Sequence, residues 1–477
     1  MVFLANEVID FYILALAFIA VSFVFTKLLK RYAKTDTFFI FSMFKTKKPL
    51  WVFDRLAVIG KPLDWLAEIG LVLGFGSIAV DYLYGRKRTG AERIALFAGS
   101  TIFLSLLFAA FDQLVGNSFS QGIFTKELFY PITVFVGLTG FAGFVLATLG
   151  LNAVTIIFNY LSGQGSCPGV APVLPGVDVP NVPISVPLYA WIPLLAVVFL
   201  HEMMHGIVAR KEKIGVKSTG ILLLGFIPIG GFVEPDEEQL QKSDELKQLR
   251  VYAAGVATNI FAFLGTFAFI FALGLVISTI FGPWALGILG SSVKEVQINE
   301  VREKIPFCKK DYSSPSFGVL EKGMVVKEVN GQEIKFASDV TAAIAEQRHQ
   351  PVKMLVEQNG KKSEIKMSPN ELGLFGFGVK NVPNEGYKPP VEYEIYSFAV
   401  TILFGLLNWF LWFNLFLGMM NYLPFPALDG GRIAPIIFSP YLAFLGKSKA
   451  ETQKLIMKVF FSLILALFLI NALPLFF

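Results

Sequence analysis

The chain has 477 residues, of which 54% are hydrophobic, 14% aromatic and 16% charged, with a mean hydropathy of +0.61. Those values exclude an ordinary soluble domain and indicate a polytopic helical membrane protein in a lipid bilayer. The net charge of +5 comes largely from Lys27, Lys30, Arg31, Lys45, Lys47 and Lys48 beside hydrophobic segments, a membrane-orientation pattern that makes no case for a nucleic-acid partner.

A spanning helix needs about 20 mostly apolar residues. Stretches of that kind run over residues 8–29, 65–84, 93–115, 130–160, 187–209, 250–281, 397–420 and 454–476, which predicts about eight spanning helices. Glu7 and Asp10 precede the core of the first and its basic cluster follows, so it reads as an anchor and not as a cleavable leader. Glu68 and Asp81 leave the second only a short apolar middle. The first four spans carry no catalytic motif and read as packing helices that brace the core or bind a partner. Residues 165–187, rich in Pro, Val and Gly, read as an ordered extracytoplasmic loop or plug.

The fifth span ends in Phe199–Val208, "FLHEMMHGIV". Residues four apart share a helix face, so His201 and His205 can reach one metal ion while Glu202 approaches a water bound to it. Two imidazoles suit zinc, and a catalytic zinc site takes a third protein ligand and leaves its fourth position to water. The competing reading is a structural His–Glu pair, at a cost membranes rarely accept.

Residues 218–240, "STGILLLGFIPIGGFVEPDEEQL", are apolar but interrupted by Pro228, Gly230 and Gly231, with β-branched Ile227 and Ile229. Non-helical backbone at membrane depth survives only against protein or a wet cavity, so a membrane-re-entrant β-hairpin is expected. Next comes "AAGVATN" (253–259), whose Asn259 either lines a substrate groove or bonds between helices.

From about Ser291 to Lys388 the chain turns polar. "VNGQ" and "QNGK" place Asn-Gly between alternating apolar residues, a hairpin signal, and "SDVTAAIAEQ" (338–347) reads as a helix with Ser338 as N-cap. This small α+β module resembles a PDZ domain of the kind attached to membrane and periplasmic proteases. His349 within it reads as a solvated side chain. Cys167 and Cys308 are left open as buried, free or paired.

The third ligand is expected in "NYLPFPALDGGRI" (421–433), where Asp429 is the one acid between Glu394 and Glu451. Pro424 and Pro426 would unwind the preceding helix end beside a polar cavity. As an isolated Asp-Gly, Asp429 would read as a turn former. Beside HEMMH it reads as the ligand.

"HEMMH", "IPIGGFV" and "NYLPFPALDGG", in that order with a PDZ-like module before the last, resemble the site-2 protease family of intramembrane zinc metalloproteases from about residue 187 onward. In "AAGVATN", Val256 stands where that family often has proline. The resemblance implies Zn2+ held by His201, His205 and Asp429, with Glu202 as general base. It also implies that Asn421 positions substrate or stabilises the developing oxyanion, that Asn259 lines the same groove, and that Ile227, Ile229, Gly230, Gly231 and Phe232 clamp an unwound substrate by β-addition. The substrate implied is a single-pass or already trimmed membrane protein, with a peptide carboxy terminus at the PDZ-like module.

The expected division is 1–186 N-terminal helices, 187–290 catalytic membrane core, 291–390 PDZ-like module and 391–477 C-terminal core. Basic residues in "ARKEKIGVK" (209–217) place the end of the HEMMH helix in the cytoplasm and the module outside it. Eight spans then put the N-terminus outside but strand Arg86, Lys87 and Arg88 there as well. The membrane is either a prokaryotic plasma membrane or that of an organelle. A second function class, a membrane scaffold or transporter with a metal site and no turnover, is disfavoured by Glu202, because a structural site needs no general base.

Overall fold

The computed structural model describes residues 2–32, 35–48, 50–115, 126–178, 182, 184–308, 310–345 and 350–476. The chain opens with α1 (Val2–Tyr32), β1 (Asp36–Phe38), β2 (Phe41–Thr46) and α2 (Leu50–Ala57). There follow α3 (Lys61–Val80, continued as a π turn to Gly85), α4 (Gly90–Leu114), α5 (Lys126–Leu161) and α6 (Trp191–Lys211). Among the described residues, seven helices are long and apolar enough to cross a membrane, and they coincide with the expected spans from the second onward. The first expected span falls on α1, which is 31 residues long.

Two of the seven are not straight. In α3, Gly76 has φ 60° and ψ −146°, a conformation closed to residues with a Cβ. The chain doubles back there. Tyr84 donates to Glu68 at 2.8 Å, although 16 residues of straight helix would separate them by about 24 Å. In α5, Gly140 breaks the helix in the same way (φ 64°, ψ −158°). The two breaks abut, since a Cβ on Gly140 would overlap the backbone of Leu73 and Gly74, and one on Gly76 the backbone of Gly137 and Leu138. Ser77 closes the contact by donating to the Gly137 carbonyl at 3.0 Å.

The acids that weakened the second span each have a distant partner. Arg250 reaches Glu68 at 2.5 Å and Asp64 and Glu212 at 3.2 Å, while Lys211 pairs with Asp64 and Glu212. Asp81 is held by Arg93 at 2.6 Å and by the Tyr441 hydroxyl at 2.7 Å. Paired charges of this kind are the form in which buried ions are tolerated.

After α6, β3 (Val216–Leu224) and β4 (Ile227–Pro235) pair as an antiparallel hairpin. Its sheet runs β1-β2-β3-β4, so the segment after α1 supplies half the strands; β2 pairs with β3 from Phe41↔Leu224 to Thr46↔Thr219. β4 is the edge. Ile229 is an extra residue on it, because Leu222 faces Gly230 and Leu223 faces Pro228. The hairpin tip rests on α1, with Phe226 edge-on to Phe18 and Phe25.

A short α7 (Glu237–Lys242), capped by Asp236, leads into α8 (Glu245–Ser292). The polar module then adds β5 (Val293–Val301), β6 (Lys304–Phe307), β7 (Lys310–Ser313), β8 (Val325–Val329), β9 (Gln332–Glu333), α9 (Ala337–Ala345), β10 (Val352–Gln358), β11 (Lys361–Met367) and β12 (Phe377–Pro383). Its main sheet has the order β11-β10-β8-β5-β12 over its own core of Val296, Ile298, Val326, Val352, Met354 and Val356. Both Asn-Gly pairs are turns with positive φ, at Asn330–Gly331 and Asn359–Gly360. Ser338 is not the cap of α9. It lies inside the helix, and Asp339 accepts from the Lys335 and Phe336 amides instead, because a carboxylate one residue on reaches both. His349 lies outside the described residues.

Cys167 and Cys308 form a disulfide, joining the loop before α6 to the β6–β7 turn. The chain ends with α10 (Val391–Asn421), α11 (Asp429–Phe438) and α12 (Lys449–Phe476).

Candidate metal centre

Three elements distant in sequence meet on one face of α6. His201 and His205 are 5% and 8% exposed, one turn apart, and Asp429 opens α11 after the chain leaves α10 at Asn421. Helix α8 closes the third side because residue 255 is glycine: a Cβ there would lie on the Nε2 atoms of both histidines.

The ligand atoms converge. His201 Nε2 and His205 Nε2 are 3.1 Å apart, and Asp429 Oδ2 lies 3.1 and 3.4 Å from them. A tetrahedral centre with bonds of 2.0–2.1 Å separates neighbouring ligands by about 3.3 Å, so the spacing suits zinc. His205 Nδ1 lies 2.7 Å from the Val251 carbonyl, which makes that nitrogen the N–H donor and leaves Nε2 its lone pair. Asp429 Oδ2 is buried with no hydrogen-bond donor, the state of a carboxylate oxygen suited to a cation. Glu202 is bound differently: its Oε2 accepts from the Val233 amide of β4 at 3.1 Å.

Beside Glu202 a groove of about 380 Å³ runs between α6 and β4. Leu195, Phe199 and Met203 form one wall, Gly230, Gly231 and Phe232 the other, and Thr46 and Phe53 come from the N-terminal segment. Ile227 and Ile229 are on the same strand but do not line this groove. Asn259 is fully buried one turn beyond Gly255, with neither side-chain polar atom bonded, and Asn421 is half-buried at the end of α10; neither joins the ligand trio or the groove.

Among the described residues, this trio is the one cluster that offers three metal-ligating atoms together. A family model described as peptidase family M50 matches residues 189–467, which begin just before α6 and run into α12. The chain belongs to peptidase family M50. Similar proteins include an uncharacterized protein of Methanocaldococcus jannaschii, 27% identical over 288 residues, 59% of this chain and 65% of that one. A membrane-bound transcription factor site-2 protease homolog of Arabidopsis thaliana is 27% identical over 152 residues, 32% of this chain and 26% of that one. A Clostridium perfringens protein named a zinc metalloprotease is 23% identical over 312 residues, 52% of this chain and 85% of that one. The chain thus spans less than two thirds of the archaeal and plant relatives. The M50 match contains the trio, Glu202 and β4, and leaves out α1 to α5 and the strands β1 and β2.

Sequence reasoning missed Val251, Gly255, Phe53 and Thr46 as parts of this site. Gly255 lay within a motif read for other reasons, and Val251 contributes only a carbonyl. Thr46 reaches the groove through strand pairing with Thr219 and Phe53 through packing of α2 on Gly206 of α6, each across more than 150 residues, which no local pattern records.

Proposed function

We propose that this chain is a zinc-dependent intramembrane endopeptidase that hydrolyses a peptide bond in or near the spanning segment of a single-pass or already trimmed membrane protein. The observation that carries the reading is the 3.1–3.4 Å convergence of His201, His205 and Asp429 beside a carboxylate tethered to an open strand edge. Zinc, when bound, lowers the pKa of its water and polarises a carbonyl. His201, His205 and Asp429 hold it. Glu202 takes the proton from the attacking water and delivers it to the leaving amine.

A helical substrate hides its peptide bonds in intrahelical hydrogen bonds, so it must become extended before attack. The free edge of β4 offers that extended segment a partner by β-addition, with Gly230, Gly231 and Phe232 at the groove and Ile227 and Ile229 toward the hairpin tip. The family resemblance assigns substrate positioning to Asn421 and Asn259, although neither lines the groove in this structure. We divide the chain at 1–186, 187–290, 291–390 and 391–477, with the third unit a PDZ-like module that filters access by size or by a new carboxy terminus.

For orientation, we take β3–β4 as re-entrant from the cytoplasmic side and α3 and α5 as helical hairpins that turn at Gly76 and Gly140 without crossing. Six helices then cross: α1, α4, α6, α8, α10 and α12. The basic stretches 27–48, 86–88 and 209–217 all become cytoplasmic, which removes the conflict that eight crossings create. The PDZ-like module lies outside, where the Cys167–Cys308 disulfide is chemically at home. A prokaryotic plasma membrane and an organelle membrane both fit.

The test is reconstitution in liposomes with a panel of labelled single-pass substrates, comparing wild type, Glu202→Gln and a chelator-treated sample. Cleavage within a spanning segment by wild type alone supports the protease. Bound zinc with an intact panel favours a scaffold.

A further inference from the structure

The N-terminal helices lie outside the M50 match, yet α3 grips the segment that leads into Asp429 at Tyr422. Tyr422 follows Asn421 and is fully buried. Its hydroxyl donates to the Gly70 carbonyl of α3 at 2.7 Å, across 352 residues of sequence. Its ring lies against Gly74, where a Cβ would coincide with ring carbons. Phe75 meets that ring edge-on at 6.2 Å and Phe141 of α5 stacks on it at 6.4 Å. On its other side, the Tyr422 carbonyl presses on Gly430, where a Cβ would overlap it, and Gly430 is the neighbour of Asp429.

From these contacts we infer that the α3 hairpin is a built-in brace for the metal centre, with Tyr422 as the positioning residue that transmits its hold to Asp429. The segment from Tyr422 to Leu428 is irregular, and its own hydrogen bonds are local: Phe425 to Leu423 at 2.7 Å, Leu428 to Phe425 at 2.9 Å and Gly431 to Leu428 at 3.0 Å. Such bonds shape the turn but do not fix its place relative to α6. Two aromatic anchors do. Phe425 stacks on Phe461 of α12 at 5.5 Å, and Tyr422 is seated in the hairpin. A metal ligand displaced by about an ångström no longer closes its site, so residues that hold a ligand from behind govern metal affinity.

The inference rests on the reading of His201, His205 and Asp429 as ligands. It is tested on the purified full chain by competing for zinc against a chromophoric chelator. Gly74→Val drives a side chain into the Tyr422 ring and is expected to weaken zinc affinity by about tenfold or more. A single gel-filtration peak and a cooperative melt of the metal-free protein report that the variant is folded. Tyr422→Leu, which removes the ring and its hydroxyl, is expected to lose affinity as Gly74→Val does, and the double variant to lose little more than either, the non-additivity of two changes that act through one contact. Tyr422→Phe keeps the ring and loses one hydrogen bond, so its loss should be smaller. Folded Gly74→Val with wild-type zinc affinity overturns the brace. If Gly74→Val does not fold, Tyr422→Leu alone decides, and unchanged affinity there overturns it too. Wild type that takes no zinc sinks the ligand assignment itself, and the brace with it.

Discussion

The Glu202 carboxylate accepts a hydrogen bond from the Val233 amide at 3.1 Å, which ties the acid beside His201 to the edge of β4. Glutamine at 202 keeps that acceptor and the volume but cannot take a proton. Glu202→Gln is therefore expected to bind zinc at the wild-type stoichiometry while cleavage falls by about 10²- to 10⁴-fold. Metal analysis and single-turnover cleavage on the same preparation check both halves. Cleavage at the wild-type rate would remove Glu202 from the mechanism.

Asp429 stands 3.1 Å from His201 Nε2 and 3.4 Å from His205 Nε2. With that carboxylate gone, two imidazoles remain, fewer than the three protein ligands a catalytic zinc site uses. Zinc content after gel filtration should fall well below one per chain in Asp429→Ala, with an unchanged elution volume as the sign of folding. Stoichiometric zinc in that variant would mean the metal sits elsewhere.

The groove beside Glu202 has glycine on its strand side, and a Cβ on Gly231 would meet the Gly220 carbonyl oxygen at 3.5 Å, ordinary contact. The fold should tolerate Gly231→Val, but the added methyls narrow the groove. Cleavage of substrates with a bulky apolar residue beside the scissile bond is expected to drop by about tenfold relative to those with alanine there, since one or two methylenes in an apolar pocket are worth that much. Measuring kcat/KM across a series of residue sizes tests this; a uniform change along the series would show that the groove does not read side chains.

Arg250 bridges Glu68, Asp64 and Glu212, and the side chains involved are 6–18% exposed. Arg250→Met leaves Glu68 with no cation, which should cost about 1–3 kcal/mol, between an exposed pair and a fully buried one, because both side chains are only partly buried. Glu68→Gln in that background should recover part of it. Unfolding midpoints in mixed detergent give the comparison, and a loss below the error of the midpoint would mean the network is solvated.

The parts of this molecule that were legible in the sequence are those written locally. His201 and His205 fall four apart on one helix, and Asp429 is the lone acid in a long apolar region, so chemistry and spacing pointed to both. The hairpins at Asn330–Gly331 and Asn359–Gly360 follow from a two-residue turn code. What hydropathy does not encode is direction. Residues 65–84 look like a span whether they run straight or turn at Gly76, and the positive φ of one glycine among several leaves no periodic trace. Glu68 and Asp81 weaken that span in the sequence because Arg250 and Tyr441 lie far along the chain and Arg93 falls in the next helix. The strands at 36–46 escaped for a related reason: they are short, they follow an apolar helix, and only pairing with residues 219–224 makes them part of the site.

Cys167 and Cys308 are 141 residues apart and bonded, so the loop before α6 and the β6–β7 turn share a compartment. Disulfides persist in oxidising compartments, and the proposed topology of six crossings would put both cysteines outside the cytoplasm. Intact cells or right-side-out vesicles should show no reaction with a membrane-impermeant maleimide until a reductant is added, and then modification at both positions. Cys308→Ser should expose Cys167 to the reagent without any reductant. If reduction leaves both cysteines unreactive from outside while lysis makes them reactive, the module lies on the cytoplasmic face. The orientation of α6 then inverts with it, and a substrate strand would approach β4 from the opposite side of the bilayer.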